Sequence, residues 1–262
     1  MIPKKIHYVW VGDKPKPKFV SDCIETWKKS LPDYEIIEWN NDSLKNIKNN
    51  YMEEAFINKK WAFVSDYIRL YALYHEGGIY LDTDVEVTKN LDQFLHLDFF
   101  SGYEIYNGNC LPITSATIGA KRKCEIVKEL LESYENVKFE TKEGLDLEPN
   151  TLKITRYFSE KFGLTSPYDG SQTSNLTDNA IIYPSYYFCD PALGKENYCI
   201  HHFNGSWLPS HSRKDKLHIS KLIVTRFIKI RSKGDLPVSS NENLLLNIRV
   251  SKTKNYALIF KK

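Results

Sequence analysis

A chain of 262 residues that is 42% hydrophobic and 26% charged has the composition of a globular protein able to bury a sizeable core without staples. Its five cysteines are scattered, odd in number and without a CxxC pair, which argues against a disulfide framework or a zinc site and for a reducing cytoplasm. No apolar run approaches the ~20 residues needed to span a bilayer, and the net charge of +3 conceals an uneven distribution taken up below.

Ile6 to Val11 reads as a buried strand closed by Gly12-Asp13 and a Pro/Lys loop, with no apolar segment of a secretory signal before it. Residues 19–30 follow as a helix and Tyr34 to Trp39 as a second strand, a βαβ opening that predicts an α/β sheet. Trp61 to His75 carries a helical pattern that Gly77-Gly78 stops, because glycine tolerates the left-handed conformation at a helix C-terminus. The next stretch, Ile79 to Val87, alternates as a strand, with Tyr80, Asp82, Asp84 and Glu86 on one face. Helices are expected over 123–136 and 151–162, and a polar, turn-rich loop over Gly163–Asn179 that could cover a site. Ala180 to Phe188 reads as a strand broken by Pro184.

Two aspartates two apart on a strand project their carboxylates from the same face. Such a pair suits a hard divalent cation, Mg²⁺ or Mn²⁺, which also takes phosphate oxygens and water. A metal on a diphosphate stabilises the charge that grows on a departing nucleoside diphosphate. A D-x-D alone more often marks a solvated acidic edge. Its setting adds weight: Asp66 and Arg69 are three apart, hence on one helix face, in an aromatic-rich helix that feeds through Gly77-Gly78 into the acidic strand. The aromatic fraction of 13%, with 17 Tyr and 5 Trp, also suits recognition of sugars and bases by flat amphipathic rings, although such rings fill cores as well.

The run from Phe63 to Asp84 resembles the sugar-binding region of DXD-containing glycosyltransferases of family 32. These include bacterial capsular-polysaccharide transferases and the yeast initiating mannosyltransferase; the glycosyltransferase domains of large clostridial toxins are more distant. Ile2 to Gly12 is similar to the family's first strand, and His202-Phe203-Asn204-Gly205-Ser206-Trp207 to its closing element. The resemblance spans about residues 1–210, with three motifs in the family's order. It implies a GT-A fold: one Rossmann-like nucleotide-sugar-binding domain with a mixed, mostly parallel central sheet. It also implies a divalent metal and transfer with retention of anomeric configuration.

Residue by residue, the resemblance implies that Val9 and Trp10 hold the nucleobase, with Trp10 stacking on it. Asp66 and Arg69 contact ribose and donor sugar, Tyr80 lines the nucleotide pocket, Asp82 lies near ribose and metal-bound water, and Asp84 ligates the metal. Ser206 and Trp207 close over the diphosphate, and Asn107–Gly119 supplies donor and acceptor contacts without an assignable residue. From the residues alone, Trp10 reads first as a core tryptophan of a strand, and Ser206-Trp207 equally as a turn; His201 and His202 read as packing or capping residues and receive no chemistry. The resemblances favour a UDP-linked donor carrying a hexose or N-acetylhexosamine, and an acceptor that is a glycan or lipid-linked oligosaccharide in capsular or surface polysaccharide synthesis.

Residues 211–262 hold 13 Lys/Arg against 3 Asp/Glu, a net of +10, while the first 210 residues carry a net of −7. The expected division is therefore a catalytic domain over 1–210 and a basic extension over 211–262. Lys214 to Arg231 fits an amphipathic helix with Ile219, Leu222, Ile223, Phe227 and Ile230 on one side, either packed on the catalytic domain or lying on an anionic membrane. The latter places the protein at the inner face of the cell membrane. Nucleic acid is disfavoured, since no recognition motif accompanies the charge.

Two other functions fit parts of the sequence. A metal phosphohydrolase would use Asp82 as nucleophile and Asp84 as acid/base, but such enzymes place Thr or Val where Glu86 stands. A non-catalytic sugar-binding module would have little use for a clustered metal-diphosphate site.

Overall fold

The computed structural model describes residues 1–106 and 109–204, and the strand backbones at 218–219, 222–230, 242–251 and 254–261. The chain divides into two compact units, Met1–Phe203 and Asn204–Lys262.

The first unit opens as the sequence predicts. Strand β1 (Lys5–Val9), helix α1 (Lys18–Ser30) and strand β2 (Glu35–Trp39) form a βαβ unit, with β1 and β2 parallel and Lys5 level with Glu35. Helices α2 (Asn50–Ile57) and α3 (Trp61–Glu76) lead to β3 (Gly78–Leu81), which lies parallel to the other side of β1. After β4 (Val85–Val87) come β5 (Phe99–Gly102), the hairpin β6 (Glu104–Tyr106) and β7 (Asn109–Leu111), and β8 (Thr117–Ala120). Helix α4 (Glu125–Glu132), the small hairpin β9 (Glu140–Thr141) and β10 (Gly144–Leu145), and helix α5 (Asn150–Phe162) follow. The unit closes with β11 (Ser174–Thr177), β12 (Ala180–Tyr183), the short α6 (Ser185–Phe188) and β13 (Cys199–His201).

The central sheet has the order β11-β12-β5-β8-β3-β1-β2. Only β8 and β11 run against the other five strands. This is the mixed, mostly parallel α/β sheet that the sequence led us to expect. Alternation along the strands divides the core in two. Tyr80 and Phe99 face one cluster with Val64 and Ile68 of α3 and Val127 of α4. Ile79, Leu81 and Phe100 face the other, with Trp27 of α1 and Phe188 of α6. Helices thus cover both faces, and strands buried on both sides become continuously apolar.

Three expectations are corrected. Ile79–Val87 is not one strand: β3 ends at Leu81, and Asp82-Thr83-Asp84 make a turn in which the Val85 N–H donates to the Asp82 carbonyl at 3.0 Å. Aspartate competes with the ladder for hydrogen bonds and favours turns, and β4 leaves the central sheet to pair antiparallel with β13. The polar loop expected over 163–179 contains the edge strand β11, held against β12. Pro184 ends β12 as expected, but Ser185–Phe188 continues as helix rather than strand.

The basic extension is likewise not the predicted helix. In the second unit β14 (His218–Ile219), β15 (Leu222–Ile230), β16 (Glu242–Ser251) and β17 (Lys254–Lys261) form an antiparallel sheet in the order β14-β15-β17-β16. The apolar run Leu222–Ile230 satisfies a helical or a strand period. Its β-branched and aromatic content, together with a ready partner strand in β17, decides for the strand. The rest of the predicted helix lies outside the described residues.

Candidate functional site

Helix α3 carries the first half of the site. Its N-terminus is fixed against the β1 loop because Gly12, at φ +91°, lets the Trp61 indole approach where a Cβ would lie 2.9 Å from it. Its C-terminus ends at Gly77, at φ +66°, and turns at once into β3. On the buried flank of the helix, Arg69 Nη2 lies 3.0 Å from Asp66 Oδ1 and 3.3 Å from Asp82 Oδ1. Arg69 Nη1 donates to the Ser115 carbonyl at 2.7 Å, and its guanidinium carbon sits 4.8 Å from the centroid of the Tyr80 ring. The Tyr80 hydroxyl donates to Asp82 Oδ1 at 2.8 Å.

A buried charge is tolerated only when paired and hydrogen-bonded. Here the guanidinium satisfies that condition with two carboxylates and a backbone carbonyl. Burial pushes the Asp66 carboxyl up to about 6, against the pull of Arg69 and with a further push from Asp82. Burial and the neighbouring Asp82 likewise keep the Tyr80 phenol protonated.

The second half gathers on Asp84. Strand β13 pairs with β4 so that His201 is level with Val85, and the His202 N–H donates to the Asp84 carbonyl at 3.1 Å. His201 Nε2 then lies 3.5 Å from Asp84 Oδ1, and its Nδ1 lies 3.7 Å from Glu104 Oε2 on β6. Burial would lower the His201 pKa, but Asp84 and Glu104 outweigh it and hold the imidazole protonated well above its ordinary range. Phe203 packs its ring 4.0 Å from the His201 ring in a left-handed conformation, φ +50°, rare for an aromatic residue. His202 turns to Glu86, at 3.1 Å.

Asp82, Asp84 and His201 each offer a ligand atom, and these atoms lie within 4.8 Å of one another. Two carboxylates and an imidazole fit a divalent cation of the Mn²⁺ type, leaving positions for phosphate oxygens and water.

Of the residues singled out in the sequence, Asp66, Arg69, Tyr80 and Asp82 form one contiguous network, and Asp84 joins it through the cation-competent cluster. Val9 and Trp10 stand at the C-terminal end of β1, beside β3. Val9 is buried, whereas Trp10 is half-buried with its indole N–H donating to the Lys14 carbonyl at 2.9 Å. Ser206 and Trp207 lie outside the described residues. Sequence reasoning missed His201, Glu104 and Ser115. No spacing links His201 to Asp84, since they meet only through the β4–β13 pairing.

Comparison with known proteins bears on the same residues. Residues 17–100 match the family described as a glycosyltransferase sugar-binding region containing the DXD motif. Over 114 residues the chain is 33% identical to an uncharacterized glycosyltransferase of Acanthamoeba polyphaga mimivirus, covering 41% of this chain and 45% of that one. Over 104 residues it is 34% identical to inositol phosphoceramide mannosyltransferase 3 of Schizosaccharomyces pombe, covering 36% of this chain and 28% of the relative. The chain thus spans less than half the length of these curated relatives. Among solved structures, PaToxG glycosyltransferase aligns at a TM-score of 0.44 and 21% identity, over 62% of this chain and 70% of that one. A glycosyltransferase involved in glycosylation of the major capsid of PBCV-1 aligns at 0.41 and 15%, over 77% and 94%. Asp66, Arg69, Asp82 and Asp84 all fall inside the segment that matches the sugar-binding region of DXD-containing glycosyltransferases.

Proposed function

We propose that the protein is a metal-dependent, retaining glycosyltransferase that moves a hexose or N-acetylhexosamine from a UDP-linked donor to a glycan acceptor in surface-polysaccharide synthesis. The observation that carries this reading is the convergence of Asp82, Asp84 and His201 beside the buried Asp66–Arg69 pair. Asp84 and His201, with Asp82, would hold Mn²⁺ or Mg²⁺. A cation held there offsets the charge that develops on a departing diphosphate.

The chain's own residues do the positioning. Arg69, fixed by Asp66, Asp82 and Ser115, presents a rigid donor array toward ribose and sugar hydroxyls, and Tyr80 holds Asp82 in place. Val9 and Trp10, at the C-terminal end of β1, stand where ligands of open α/β sheets bind and would take the base. Ser206 and Trp207 would close over the diphosphate. The acceptor hydroxyl would attack on the face the diphosphate leaves, with a phosphate oxygen taking its proton, so the protein orients the reactants and neutralises charge. An acidic network crossed by a buried arginine also distinguishes this site from a phosphohydrolase, whose nucleophilic aspartate would not be spent on a tyrosine and an arginine as Asp82 is.

The test is turnover of UDP- and GDP-sugars with Mn²⁺, Mg²⁺ or EDTA, on wild type and Asp84→Ala. We expect metal-dependent donor hydrolysis, abolished by EDTA and lowered at least ~10²-fold by the substitution. Absence of turnover and of binding for every donor in either metal would refute the assignment. A sugar-binding module would instead bind its ligand equally well with and without Asp84.

A further inference from the structure

Glu104 is a carboxylate at 7% exposure, and glutamate is almost never this buried without a partner. Its place is set by backbone. The Tyr103 N–H donates to the Tyr183 carbonyl at 2.9 Å, and Glu104 pairs with Leu111 across the β6–β7 hairpin. The carboxylate faces His201 Nδ1 across 3.7 Å, and that nitrogen is itself buried and without a hydrogen-bond partner. A buried imidazole nitrogen without a hydrogen-bond partner thus faces a buried carboxylate across a gap slightly too long for a hydrogen bond. On the other side of the ring, Nε2 points at Asp84.

An imidazole that ligates a cation through one nitrogen keeps its proton on the other, and that N–H needs an acceptor to fix tautomer and ring angle. The neighbouring Cys189, whose carbonyl already accepts the His201 N–H at 2.9 Å, is a poor candidate, since a thiol sulfur is only a weak acceptor.

We propose that Glu104 is a positioning residue that accepts the His201 Nδ1–H and thereby aims Nε2 at the divalent cation shared with Asp82 and Asp84. This rests on the metal reading above. It ties the cation to strand β6, so that a shift of β6 and its partner β7 would be felt at the metal.

The experiment is Mn²⁺ binding to the full chain, followed by the loss of the free-ion paramagnetic resonance signal. It compares wild type, Glu104→Ala, Glu104→Gln, His201→Ala and the Glu104/His201 double alanine variant. Glu104→Ala should weaken binding ~10- to 100-fold. Glu104→Gln retains an acceptor oxygen and should weaken it less. The double variant should bind no more weakly than His201→Ala, because Glu104 acts only through the ring. In the Mg²⁺-loaded protein, two-bond ¹H–¹⁵N spectra should show the His201 proton on Nδ1 in wild type and a changed tautomer signature in Glu104→Ala.

Wild-type affinity in both Glu104 variants, or losses that add in full in the double variant, would overturn the proposal while leaving the metal site standing. A wild type that binds no Mn²⁺ would overturn the metal reading and this one with it. Should Glu104→Ala fail to fold, as judged by its far-ultraviolet circular dichroism, the glutamine variant and its spectrum decide the matter.

Discussion

Asp82 and Asp84 are two residues apart, yet they answer to different neighbours. Asp82 Oδ1 accepts from Tyr80 and faces Arg69, while Asp84 Oδ1 faces His201. Substitutions at the two should therefore fail differently. Arg69→Lys tests the Asp82 side: a point charge replaces a planar fork that serves Asp66, Asp82 and Ser115 at once. We expect donor turnover to fall ~10²-fold while Mn²⁺ affinity changes little, measured by hydrolysis rate and metal titration on the same sample. Asp66 gives a pH test. Its carboxyl titrates at about 6 in the fold, so its charge, and with it the fixed geometry of Arg69, is lost as pH falls through that value. The acidic limb of the turnover–pH profile should have a midpoint near 6 in wild type and disappear in Asp66→Asn, which should be slow throughout. An unchanged limb in the variant would assign it to another group. That Asp66 and Arg69 share a helix face was legible from their spacing of three. That Arg69 also reaches Asp82 was not, because that contact crosses from helix to sheet.

At the scale of elements, the α3–β3 junction decides whether the site forms. Gly78 sits at φ +121°, and a Cβ there would lie 2.7 Å from the Lys5 carbonyl oxygen. Gly78→Ala should cost about 1–3 kcal/mol for the backbone conformation alone, and more for the clash with β1. The expected result is a Tm lower by at least ~5 °C. The same junction is pinned by His7, fully buried, whose Nδ1 accepts from the Trp39 indole at 3.2 Å and whose Nε2–H donates to the Gly77 carbonyl at 2.8 Å. Burial, more than any neighbour, lowers the His7 pKa. The unfolded chain takes up a proton below about 6.5 that the folded chain refuses, so the unfolded state gains as pH falls and stability declines. Thermal melts from pH 7 to pH 5 should show a smaller loss of Tm in His7→Gln than in wild type, although the variant starts lower at pH 7. Equal losses would remove His7 from this account. The sequence gives a clear helix stop at Gly77-Gly78 because the signal is local. It does not show that β3 ends at Leu81, since the Asp82–Asp84 turn depends on β4 finding β13, more than a hundred residues away.

Across the whole molecule, the charge is divided between an acidic first part and a segment 211–262 with a net of +10. Among the described residues no helix is long and apolar enough to cross a membrane. We propose that the basic segment draws the protein to an anionic surface, with attraction of about 1 kcal/mol per basic residue near the lipid. Co-sedimentation with phosphatidylserine-containing vesicles should exceed that with neutral vesicles and fall as salt rises. It should also fall when Lys214, Lys216, Lys221 and Lys229 are changed to glutamate. Equal recovery in the supernatant with both vesicle types would reject the idea.

The sequence by itself determined the βαβ opening, the helix that ends at Gly77, and the D-x-D with its Asp66–Arg69 prelude. Each is written in periodicities and spacings that operate within a few residues. Tertiary structure completed the choice of strand for Leu222–Ile230, because its pattern fits either period and pairing with β17 adds to the pull of its β-branched residues. It likewise decided that His201 completes the cluster and that Glu104 stands behind it. Those contacts depend on strand pairings between distant segments, and nothing in the local chemistry of a histidine announces which carboxylate it will meet.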